Sequence, residues 1–77
     1  MTELKPVGEW GLSESEARVL SAVIKTGCNK AAAGLLFRSV KTVEFYLASA
    51  YQKAGASGAA GRILVLIAFD RHTRGST

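Results

Sequence analysis

Two stretches of this chain carry the same punctuation, a serine suited to start a helix and a glycine suited to stop one: Ser13 to Gly27 and Ser39 to Gly55. Ser13 is followed three residues later by Glu16, the capping-box spacing in which each side chain satisfies a backbone N–H at the helix start. Gly27 and Gly55 tolerate the left-handed conformation that ends a helix. Two helices are therefore predicted, the first from Ser13 to near Lys25 and the other from Val40 to about Ala54.

Their apolar residues agree. Val19, Leu20, Val23 and Ile24 form a stripe on the first helix. Val43, Leu47, Ala50, Tyr51 and Ala54 fall on one side of the later one at spacings of three, four and seven, which makes that side the core face. Between them Asn29 to Phe37 reads as a short alanine-rich helix capped by Asn29 or Cys28, and Ala31, Ala32 and Ala33 invite close approach of another helix. Gly34 within it costs on the order of 1 kcal/mol relative to alanine, so this helix depends on packing.

A fourth helix is expected from Gly58 to about Arg71 with Ser57 as its cap. From Ile63 to Phe69 it is apolar around nearly its whole circumference, so it needs two neighbours, the domain's own core and a second chain. Residues 1–11 are read as an N-terminal arm, 12–72 as the domain and 73–77 as a disordered tail.

Size and charge bound the function. A chain of 77 residues holds one small domain, which leaves about 40 % of its unfolded surface still exposed. Ten Lys/Arg against six Asp/Glu give a net charge of +4, which suits a polyanion without identifying one. Cys28 is the sole cysteine, so no intramolecular disulfide forms, and together with an N-terminus lacking a signal-like apolar run this points to the cytoplasm. The seven-residue run Ile63 to Phe69 falls far short of the roughly 20 needed to span a bilayer. One histidine, one cysteine and no glycine-rich phosphate loop leave an enzyme almost nothing to work with, and no cofactor or metal is expected. His72 has no ligand partner at suitable spacing.

Two short helices joined by a tight turn, the second capped by Ser39, suit helix-turn-helix DNA binding. The stretches LSESEARVL (12–20), CNKAAAGLLFRS (28–39) and TVEFYLASAYQKAGA (42–56) resemble the C-terminal DNA-binding domain of the LuxR family, the GerE-type helix-turn-helix. That pattern aligns without a gap from Leu12 to Ala56 and extends loosely into the fourth helix. Leu12, Glu16, Val19, Leu20, Asn29, Lys30, Ala33, Leu36, Ser39, Thr42, Val43, Lys53 and Gly55 all match.

The resemblance implies an all-α, four-helix LuxR/GerE-type domain in which the third helix reads double-stranded DNA and the fourth dimerises. Base contacts would come from Glu44, Phe45 and Ala48, and phosphate contacts from Lys30, Lys41, Thr42, Tyr46, Ser49 and Lys53. The dimer interface would use Ile63, Leu64, Leu66, Ile67, Phe69 and Asp70. Physically, Glu44 suits a cytosine amino group, and Phe45 and Ala48 suit a thymine methyl.

Departures from the pattern matter. Thr26 stands where glycine is usual, Cys28 replaces serine, and Ala31, Ala32, Arg38, Ser49, Ala50 and Ala54 replace mostly larger or differently charged residues. Lost core volume must be refilled, for which Phe37, Tyr51 and the bulky fourth helix are the candidates. Tyr46, Gln52 and Ala59 stand where His, Arg or Lys are common, which thins the phosphate contacts.

Plainer roles compete with these. Lys30, Lys41 and Lys53 serve equally as solvated surface charges, Glu44 as a helix-solubilising carboxylate and Tyr46 as a half-core residue. Arg38 can lay its stem over the core, Cys28 can be a small structural residue, and Trp10 is expected to pack the arm onto the domain. The expected function is a sequence-specific transcriptional regulator acting as a homodimer, with no room for a receiver or autoinducer-binding domain. The alternative is an interaction module that binds no DNA and heterodimerises with a larger LuxR-type regulator.

Overall fold

Serine caps and left-handed stops act where the sequence places them. The computed structural model describes residues 4–75 and is all-helical, with α1 Glu14–Thr26, α2 Asn29–Leu36, α3 Val40–Ala54 and α4 Gly58–Gly75. A short 3-10 turn, Val7–Glu9, precedes α1 and was not expected from the pattern of residues. Among the described residues there is no strand, and no helix is long and apolar enough to cross a membrane.

The capping box at α1 is complete: the Glu16 N–H donates to Ser13 Oγ at 3.2 Å and the Ser13 N–H to Glu16 Oε1 at 2.7 Å. Gly27 ends α1 at φ 86°, and Thr26 beside it ties the turn by hydroxyl contacts to the carbonyls of Ala22 and Cys28. Cys28, rather than Asn29, caps α2, its Sγ accepting from the Ala31 N–H at 3.4 Å. Ser39 Oγ accepts from the Thr42 N–H at 3.1 Å and starts α3.

Three expectations need correction. α2 ends at Leu36, and Phe37 is its left-handed cap at φ 56° and ψ 44°. That conformation turns the ring outward, 93 % exposed, so Phe37 fills no core volume. α4 runs past Arg71 to Gly75, held by the Arg74–Asp70 pair at 3.0 Å and a Thr73 hydroxyl bond to the Phe69 carbonyl; the rest of the expected tail, 76–77, lies outside the described residues, as do arm residues 1–3.

The core gathers Leu20, Val43 and Val65, all fully buried, with Val19, Val23, Leu47 and Phe69 around them. Ala32, Ala33, Ala50 and Ala54 are buried with them, while Ala31 is exposed. Trp10, 3 % exposed, joins Val65 and Phe69 in the same core as these alanines, and a half-buried Tyr51 packs against it. The arm is closed on itself and tied to α3: the Trp10 Nε1–H donates to the Lys5 carbonyl at 2.7 Å, and the Lys5 N–H donates to the Ala54 carbonyl at 3.1 Å. A buried tryptophan whose N–H has a partner contributes on the order of 3 kcal/mol.

Candidate nucleic-acid interface

α2 and α3 meet through Phe37, Arg38 and Ser39, three residues that set the start of α3 free in solvent. From there α3 divides cleanly. Val43, Leu47, Ala50 and Ala54 face the core, whereas Lys41, Glu44, Phe45, Ala48 and Gln52 are exposed. Phe45 leaves 69 % of its surface in water, and its ring meets Tyr46 edge-on with centroids 5.5 Å apart. The base-contact set named from the sequence, Glu44, Phe45 and Ala48, therefore shares the open face of one helix.

The phosphate-contact set is less uniform. Lys30 at the start of α2 and Lys41 at the start of α3 are exposed. Thr42 is half-buried, with its hydroxyl 2.9 Å from the Ser39 hydroxyl. Tyr46 is half-buried against the core and lines a hollow with Val19, Leu36 and Arg38, as its plainer role required.

Ser49 and Lys53 point elsewhere. Both reach back to Glu16, the single charged residue in the buried part of the described chain. Lys53 Nζ lies 2.7 Å from Glu16 Oε1 and 3.3 Å from the Gly11 carbonyl, while the Ser49 hydroxyl donates to Glu16 Oε2. Burial alone would push the Glu16 carboxyl up; the Lys53 ammonium, the Ser13 N–H and the Ser49 and Ser13 hydroxyls outweigh it and hold the pKa down at about 2. In this arrangement Ser49 and Lys53 serve first to neutralise a carboxylate that α1 needs for its cap. Spacing alone did not reveal this, because the partners are 33 and 37 residues apart.

Arg62, absent from the expected contacts, lies on the other flank of α3. Its guanidinium carbon sits 5.6 Å from the centroid of the Tyr51 ring, a cation–π distance. Burial raises the Tyr51 phenol pKa, and the Arg62 charge acts against that rise. With Asn29, Glu44, Leu47, Ala48 and Tyr51, Arg62 lines a hollow of about 330 Å³ between the start of α2, the middle of α3 and α4.

α4 sorts the expected dimer residues into two sides. Ile63, Leu64 and Ile67 are 58 %, 43 % and 46 % exposed, and Leu66 and Asp70 are half-buried. Phe69, at 6 % exposed, belongs to the chain's own core, where the two-residue offset from Ile67 carries it to the other side of the helix. Compared with known family models, curated proteins and solved structures, the chain matches none.

Proposed function

We propose that this chain is a sequence-specific DNA-binding transcriptional regulator of the LuxR type, working in the cytoplasm as a homodimer. The observation that carries the reading is the outer face of α3, where a largely exposed aromatic, Phe45, stands among Lys41, Glu44 and Ala48 at the open end of a helix-turn-helix pair. A solvated helix face has no need of a phenylalanine there; a major groove offers thymine methyl groups to it. Val40–Ala54 enters the groove N-terminal end first, with Glu44, Phe45 and Ala48 on base edges. Lys30, Lys41, Thr42 and Tyr46 hold phosphates, and the N-terminus of α3 adds partial positive charge. Ser49 and Lys53 contribute less than the sequence suggested because Glu16 occupies them.

Dimerisation uses the exposed Ile63, Leu64 and Ile67, and the two α3 helices of such a dimer take half-sites about one DNA turn apart. Selection of duplexes from a random pool at low salt tests the reading, with Phe45→Ala and Thr42→Ala in parallel. A palindrome-like motif that weakens in both variants supports it; a folded protein that enriches nothing overturns it.

The same Glu16 network favours a second reading. With two of six expected phosphate contacts turned inward, an interaction module that pairs through α4 with a larger LuxR-type regulator needs no DNA affinity of its own. Tight heterodimerisation without duplex binding would select it.

A further inference from the structure

We propose that Arg62 is a further phosphate-binding residue of the DNA-facing surface, held in place by the ring of Tyr51. The inference rests on the DNA-binding reading of α3. Arg62 stands on α4, outside the helix-turn-helix pair, yet it borders the same hollow as Glu44 and Ala48, two of the residues assigned to base edges. A duplex whose groove receives that pair carries its sugar-phosphate backbone over the adjoining flank, where the hollow opens.

Chemistry favours an anion at that place. Arg18 and Arg74 have carboxylate partners on their own helices, Glu14 and Asp70. Arg62 has an aromatic face instead and no carboxylate partner among the described residues. A cation–π contact uses none of the N–H groups of a guanidinium and leaves its fork, which binds phosphate bidentately, free to donate. Tyr51 packs against the core cluster, so the cation–π contact limits the motion of a side chain that would otherwise be costly to order. Glu44 shares the hollow and would repel a phosphate by itself; the Arg62 charge offsets it.

The test measures binding of a short mixed-sequence duplex across about 50 to 200 mM salt, where affinity reports phosphate contacts whatever the bases. Arg62→Gln keeps most of the stem and removes the charge. Arg62→Lys restores the charge without the fork. Arg71→Gln, nine residues along and so on the opposite side of α4, removes the same net charge away from the hollow. Arg62 is exposed, and circular dichroism of all three variants should match the parent.

Arg62→Gln is expected to lower the slope of log affinity against log salt by about 0.9, the share of one phosphate, with Arg62→Lys keeping the parent's slope at reduced affinity and Arg71→Gln like the parent. Binding by the parent with an unchanged slope in Arg62→Gln overturns this inference alone. Equal losses in Arg62→Gln and Arg71→Gln also overturn it, since net charge would then account for the effect. A parent that binds no duplex at low salt overturns the DNA-binding reading and this inference together.

Discussion

Lys53, near the end of α3, places its ammonium 2.7 Å from the carboxylate of Glu16, which is 3 % exposed in the first turn of α1. One side chain thus closes a cap and joins two helices. Because the folded state favours its charged form, stability depends on pH with a definite sign. The pKa is lowered from 4.5 to about 2, so the contribution is complete above pH 4.5 and is lost as the pH falls through about 2. Its size is on the order of 3 kcal/mol. Urea midpoints of the parent should fall steeply across that window, and those of Glu16→Gln should be nearly flat; parallel pH profiles would refute the assignment.

Lys53→Ala should destabilise the protein by about 2 kcal/mol, because it leaves a buried carboxylate with neutral donors only. The figure is held below the full cost of breaking a buried pair because Lys53 is itself 40 % exposed and partly screened. The Glu16→Gln and Lys53→Met double variant should recover most of the loss, as thermal melts of the four proteins would show. Strictly additive losses would mean that the two residues do not act together. A fall in DNA affinity in Lys53→Ala therefore counts as a lost phosphate contact only after correction for the folded fraction.

The helices were legible because their ends are chemically marked. Ser13, Ser39, Gly27 and Gly55 are local signals, read within one turn of the residue itself. The core face of α3 was legible for the same reason, since three- and four-residue spacing is a property of one helix. What escaped lies between elements. Neither the Glu16–Ser49–Lys53 cluster nor the Tyr51–Arg62 contact has any spacing rule, and each depends on how helices cross. Phe37 misled because a large aromatic beside a leucine pair reads as core; only its backbone angle shows that it caps α2.

Phe37 and Gly55 do the same backbone work. Each lies in the left-handed region after a helix, with its own N–H bonded to the carbonyl three residues back and the next N–H to the carbonyl five residues back. Glycine adopts this conformation freely, whereas phenylalanine has a steric penalty of roughly 1 kcal/mol. Since the Phe37 ring is 93 % exposed, Phe37→Gly forfeits almost no packing. The variant should be more stable by about 0.5 kcal/mol, a rise of about 3 °C in Tm, after the added freedom of the unfolded chain is counted. A lower Tm would show that the ring contributes contacts in solution.

The two sides of α4 predict opposite outcomes for one kind of substitution. Ile63 and Ile67 stand one turn apart on the exposed side, and Val65 and Phe69, offset by two residues, stand one turn apart on the buried side. Ile67→Lys should leave the circular dichroism spectrum and Tm nearly unchanged, because the new ammonium meets water. Phe69→Lys should unfold the domain, since a buried phenylalanine is worth about 3 kcal/mol or more and so small a fold has little to spare. If α4 pairs with a second copy, Ile67→Lys should also convert a dimer to a monomer in sedimentation. Affinity for a palindromic site should then fall while affinity for a single half-site stays the same, because each α3 helix is untouched and only the link between the two is gone. A variant that stays dimeric would move the interface away from this side of α4.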